Sequence, residues 1–120
     1  MAAPNLVNVS TITAKSVQAA LTTTLTTEIL ANASSSGKVF KVNNVLVANI
    51  DGSSAVDISV FITKSGGSPL AIASTISVPA DSTLDLISRP IYLDETDLIA
   101  VTAGAANDLA YHVSYVEMVD

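Results

Sequence analysis

Between Val39 and Met118 the chain is cut by Gly, Pro, Asp, Asn and Ser into short segments in which apolar residues recur at every second position. The segments are V39-F-K-V-N-N-V-L-V-A-N-I50, V56-D-I-S-V-F-I-T63, P69-L-A-I-A-S-T-I-S-V78, T83-L-D-L-I-S88, D97-L-I-A-V-T102 and L109-A-Y-H-V-S-Y-V-E-M118. A period of two puts alternate side chains on opposite faces of a pleated strand, so each segment predicts a β-strand with one face turned to a core. Turn residues recur about every ten positions, and no segment is long enough for the helical crossover that parallel strands require. The pattern predicts an all-β antiparallel sandwich, jelly-roll-like, of about eight or nine strands.

Ser16–Ala33 has some helical spacing in Val17, Ala20, Leu21 and Leu25. Thr22, Thr23, Thr24, Thr26 and Thr27 oppose it, because a branched Cβ restricts χ1 in a helix and suits a pleated surface. Two short strands meeting near Thr22–Thr24 are expected. Residues 1–16, with Pro4, Asn5 and a short alternation of Val7, Val9 and Thr11, read as an extended N-terminal arm. Residues 17–120 read as one sandwich domain, since 120 residues suffice for a single two-layer core. In the segment 39–50, Phe40, Val42, Leu46, Ala48 and Ile50 share one parity while Val45 and Val47 are apolar on the other. Its second half is expected to be buried on both sides, which places the strand centrally in its sheet or with one face against another subunit. D51-G52 reads as a hairpin turn, and Leu70, Ile72, Ile76 and Val78 as an inward face.

Only 13% of residues are charged, and the net charge is −6. So few charges on a surface rich in Ser, Thr and Ala suggest that other chains cover part of it. Lys15, Lys38, Lys41, Lys64 and Arg89 are scattered, which argues against nucleic acid as a partner. No apolar run approaches the roughly 20 residues needed to span a bilayer as a helix, and no membrane partner is expected. The start M-A-A-P-N-L-V-N-V does not read as a signal peptide. With no cysteine, disulfides and thiolate metal sites are excluded.

Chemistry-bearing residues are sparse. His112 is the single imidazole, with Ser114 on the same face, and a strand histidine accounts for it better than a triad. D94-E-T-D97 lacks the glycine and terminal glutamate of a calcium loop, and reads as a turn held by aspartate side chains. Carboxylate pairs for sugar hydrolysis would come with an aromatic platform, which five aromatics and no tryptophan do not supply. No catalytic residue, cofactor site or metal site is assigned. The residues expected at an interface are Leu6, Val7 and Val9 in the arm, Val45 and Val47 in the long strand, and the aromatics Phe61, Tyr92, Tyr111 and Tyr115.

From Ser34 onward, S-S-S-G-K-V-F-K-V-N-N-V-L-V-A-N-I-D-G52, S-V-P-A-D-S-T-L84 and I-Y-L-D-E-T-D-L-I-A-V-T-A103 resemble small virion structural proteins of tailed bacteriophages, of the cyanophage and marine-phage type. Y-L-D-E-T-D97 is similar to the L-x-x-G-D pattern that opens a late strand in viral β-domains, with Glu95 and Thr96 where glycine is customary. The resemblance implies a non-enzymatic capsid cement or decoration protein on the virion exterior. It would bind the major capsid protein lattice and itself, as a homotrimer, with the arm reaching a neighbour. A neck, tail or fibre-adaptor component is the alternative, and a carbohydrate-binding host-adhesion module is the alternative of another class.

Overall fold

A computed structural model describes residues 9–119. Among them lie nine strands and no helix: β1 (Thr11–Leu21), β2 (Thr27–Ala31), β3 (Lys38–Asn49), β4 (Val56–Thr63), β5 (Leu70–Val78), β6 (Thr83–Asp85), β7 (Ile91–Leu93), β8 (Leu98–Ala103) and β9 (Leu109–Val119). They form two antiparallel sheets. The first has the order β1-β9-β3, with the short β6 and β7 both paired to the far edge of β3; the second has the order β2-β8-β4-β5. If β6 and β7 are taken as one interrupted strand, each sheet has four. Only β4 and β5 are then successive strands paired in a hairpin; every other connection passes from one sheet to the other.

The threonine-rich segment folds as expected into two strands, β1 and β2, joined across Thr22–Thr26. β1 pairs with β9 in unbroken register from Thr11↔Val119 to Leu21↔Leu109. The boundary drawn at residue 16 therefore falls inside a strand, because nothing in T11-I-T-A-K-S-V-Q18 interrupts pairing. Of the expected arm, residues 1–8 lie outside the described residues.

β3 is central, between β9 and the β6/β7 pair. A bulge between Val42 and Asn44 inserts one residue against β9. An extra residue reverses which side chains face inward beyond it. Phe40 and Val42 point to the core before the bulge, and Val45, Val47 and Asn49 after it. Leu46 and Ala48 are half-buried on the reverse face, and Ile50 is exposed. The second half of β3 is thus not buried on both sides, and an uninterrupted alternation gives the wrong inward set.

Two further expectations change. D51-G52 does not close a hairpin: β3 and β4 lie in different sheets, and Gly52 is not among the positive-φ residues. The bend is held by Asp51, whose Oδ1 accepts from Ser53 N and Oγ, each at 2.9 Å. In β5 only Val78 is buried, while Leu70, Ile72 and Ile76 are 70%, 45% and 38% exposed. Leu70 and Ile76 stand opposite Ile62 and Ile58 of β4, on its inward side. Their face is turned inward, but β5 is an edge strand and the opposite sheet ends in β6 and β7, three residues each.

Elsewhere the sheets close on a shared core. Val42, Val45 and Val47 of β3, Ile58 and Val60 of β4, Ile99 and Val101 of β8, and Leu109 and Val113 of β9 have no exposed surface. Each such side chain stabilises the fold by about 1.5–3 kcal/mol relative to exposure. Two buried asparagines tie down loops at strand ends. Asn32 Nδ2 donates to Lys38 O at 2.8 Å and Leu93 O at 3.0 Å, and its Oδ1 accepts from Ser36 Oγ at 2.6 Å. Asn49 does the same with Ser54 O and Val78 O, both at 2.9 Å, and accepts from Asp51 N at 2.9 Å. No buried side-chain N or O among the described residues lacks a partner.

The bulge makes a direct prediction. Val47→Ala should lower unfolding free energy by about 2 kcal/mol, and Leu46→Ala by under about 1 kcal/mol, in chemical denaturation. Strict alternation predicts the reverse order.

Candidate assembly surfaces

His112 lies on the face of β9 directed away from the core. Its Nδ1 is 3.1 Å from Gln18 Oε1 on β1, while Ser114 N donates to Asn44 Oδ1 at 3.3 Å. The imidazole thus donates from Nδ1 to an amide oxygen rather than to a carboxylate, and Ser114 follows it along the same strand. That arrangement does not build a nucleophile, base and orienting acid around one point. Among the described residues, no three His, Cys, Asp or Glu side chains are grouped as a metal site.

The Asp94–Asp97 turn is structural, in the way the sequence suggested. Asp97 is buried at 1% exposure. Its carboxylate accepts from Asp94 N at 2.9 Å, from Ser65 N at 3.0 Å, and from the Lys64 ammonium. One side chain thus closes its own turn and pins the β4–β5 loop to it. Thr96, standing where the resembled pattern has glycine, adopts φ +70°. The backbone keeps the left-handed bend that glycine takes freely, at a cost of roughly 1–2 kcal/mol for a side chain with a Cβ.

The bases that look scattered in sequence are partly gathered by the fold. Lys15 on β1 and Lys38 on β3 flank β9 and converge on Glu117, at 3.0 and 3.2 Å. Sequence reading missed this cluster, because its members are joined only by sheet register. Burial alone would raise the Asp97 and Glu117 carboxyls, but their partners outweigh it: Lys64 and two backbone amides for Asp97, and Lys15 and Lys38 for Glu117. Both stay below the usual carboxylate range. The hydrogen bond to Glu117, and then its charge, raise the Lys15 ammonium.

The β5 edge is of another kind. From Ser65 to Ala80 the chain has no charged residue, and Leu70, Ile72 and Ile76 stand in solvent along it. Beside them, Ile72, Leu86, Ile87, Arg89, Pro90 and Ile91 line a shallow hollow of about 280 Å³ where the two sheets part.

The residues expected at an interface fall into three groups. Val45 and Val47 are fully buried and Tyr115 is 8% exposed, with its ring centroid 5.1 Å from that of Phe40. These three are core, and no second chain reaches Val45 or Val47 while the sandwich is intact. Val9, Phe61 and Tyr111 are half-buried and Tyr92 is 47% exposed, so all four present surface. Leu6 and Val7 lie outside the described residues. The β5 row was missed because its spacing is that of a core strand; its exposure follows from its place in the sheet.

These features define an antiparallel two-sheet β-sandwich with an open edge at β5. No family model matches the chain, and no curated protein matches it in sequence. The fold is similar to solved structures. One is a protein of Bacillus endospore appendages, described as forming a novel family of disulfide-linked pili, with TM-score 0.54, 14% identity, and coverage of 91% of this chain and 88% of that one. Another belongs to the T13 particle of infectious bursal disease virus, with TM-score 0.53, 8% identity, and coverage of 92% of this chain but 32% of that one.

Asp97 and Glu117 titrate lower in the folded chain than in the unfolded one, so the stability they contribute is present above the ordinary carboxylate range. It is lost as pH falls through the lowered folded values. Melting temperature should therefore drop on acidification below about pH 4. Asp97→Ala should cost about 2–3 kcal/mol at neutral pH, since two amides lose their acceptor. Lys64→Ala should cost only about 0.5 kcal/mol, because that ammonium is mostly exposed. Thr96→Gly should raise stability by about 0.5–1.5 kcal/mol, measured by thermal melting.

Proposed function

We propose that this chain is a non-enzymatic structural subunit of a virion, a cement or decoration protein that binds the major capsid protein lattice and other copies of itself, as a trimer. One observation carries the reading: the sandwich leaves an uncharged, apolar edge in solvent on a chain with few charges anywhere, a surface suited to being covered. The interleaving of strands between sheets supports a jelly-roll description, an architecture that recurs in viral capsid domains. Fold likeness to a virus particle component agrees with it. The mechanism is mass action: a subunit that contacts several capsid proteins binds the assembled shell better than free capsid protein, and so stabilises the shell.

A second reading is favoured by the coverage of the endospore-appendage fold, which extends over most of both chains. In it the protein is a subunit of a fibre or of a neck or tail. That neighbour is described as disulfide-linked, whereas this chain has no cysteine and would join its copies without disulfides.

Counting copies in purified particles by quantitative mass spectrometry separates these roles. Hundreds per particle support cement, a dozen or fewer support neck or tail, and none overturns the virion reading. Capsid occupancy also tests the arm. Deleting residues 1–8 should lower occupancy and leave melting unchanged, since the pairing of β1 begins at Thr11. Deleting 1–16 should also destabilise the sandwich, because it removes the first half of β1. Undiminished occupancy in the shorter deletion refutes a role for the arm.

A further inference from the structure

Among the described residues the two sheets have four edges, and three of them are poorly made to take a further strand. The far side of β3 is already paired with β6 and β7. β2 has five residues and a register shift after Glu28. β5 meets β4 through shifts on both sides of Val60 and turns left-handed at Thr75, φ +52°. Bulges and short length of this kind interrupt the row of outward N–H and C=O groups that a new strand would need. β1 differs. It runs for eleven residues in unbroken register with β9, so alternate residues along its other side turn their N–H and C=O away from the sheet. A lysine on an edge strand ordinarily keeps other chains off, but Lys15 is drawn back onto β9 by Glu117, 3.0 Å away. The side chains from Thr11 to Ser16 are exposed, and Ile12 among them is apolar and 65% exposed.

We infer that residues 1–8 of a neighbouring copy add as a strand to the free edge of β1. This rests on the reading that copies of the chain meet in a trimer, and it names the groups that join them. The arm suits the edge. No charged side chain occurs from Met1 to Ala14, so an arm meets the edge of a −6 chain without repulsion. Leu6 and Asn8 alternate with Val7 and Val9, Ile12 gives such a strand an apolar partner, and Pro4, which has no N–H, ends the ladder. The chain's own β1 is the nearest edge but the hardest to reach. Ser10 N and Oγ are tied to Val119 O at 2.9 and 3.2 Å, so an arm folding back must reverse just before that point. A two-residue hairpin turn takes glycine, or positive φ at both central residues. No glycine precedes Gly37, and every adjacent pair from Leu6 to Ser10 contains Val7 or Val9, whose branched Cβ resists positive φ. Eight extended residues span about 26–29 Å. The molecule is 27 and 22 Å across its shorter dimensions, so an arm that runs on reaches the adjacent copy. The contact is heterologous, since each copy gives one arm and receives another, and a three-fold rotation closes it into a ring.

The test combines light scattering coupled to size exclusion with amide hydrogen exchange followed by NMR, on the full chain over a range of concentrations. The full chain should form a trimer in which consecutive β1 amides exchange slowly. Deleting residues 1–8 should give a monomer in which alternate β1 amides exchange roughly tenfold faster or more, while those bonded to β9 stay protected. Leu6→Pro combined with Val7→Pro should do the same with unchanged melting, because neighbouring N–H groups alternate in direction and one of the two must face the edge. A peptide of residues 1–9 added to the shortened chain should restore the protection. Protection that does not depend on concentration puts the arm on its own edge and overturns the proposal. So does protection gained on β2 or β5 instead of β1, or a trimer that survives the deletion. A monomer at every concentration also overturns it, and particle copy number then decides separately whether the virion reading stands.

Discussion

The structure depends on alternate aliphatic side chains being removed from water between two sheets. Strands this short do not hold together alone; what fixes their register is that each has one face to bury. Val42, Val45 and Val47 are the hub, because β3 lies at the middle of its sheet and touches β9, β6 and β7. The polar anchors act within that frame. Asn32, Asn49 and Asp97 each gather several backbone groups at strand ends, where connections pass between sheets and ladders cannot satisfy them.

Much of this was legible in the chain. Period-two alternation gave the all-β class, the division of the threonine-rich segment into β1 and β2, and the central place of β3. What was not legible came from effects of single residues or from position within a sheet. The bulge at Asn43 marks the pattern only by moving Val45 and Val47 to the opposite parity from Phe40 and Val42, which reads equally as burial on both sides; the extra residue puts them, and not Leu46, on the inward face. Asp51-Gly52 looks like a hairpin because local composition does not say which sheet the next strand joins.

The surface was legible in character and not in place. Low charge pointed to covering by other chains, but the residues expected there divide: Val45, Val47 and Tyr115 hold the core, while Phe61, Tyr92, Tyr111 and Val9 stay at the surface. The Leu70, Ile72 and Ile76 row carries a core strand's pattern on a strand whose opposite sheet has run out. That mismatch between pattern and exposure is the observation on which the proposed assembly rests. The ion pairs of Glu117 tie β1 and β3 to β9, and that of Asp97 secures the β4–β5 loop that leads into the row.

The central claim is that this sandwich is completed by contacts with other chains. A cryo-electron microscopy map of purified particles tests it most directly. The account predicts density for the sandwich in many symmetry-related copies, with Leu70, Ile72 and Ile76 covered by protein. Particles without this chain, or copies whose β5 face is open to solvent on every side, would contradict it.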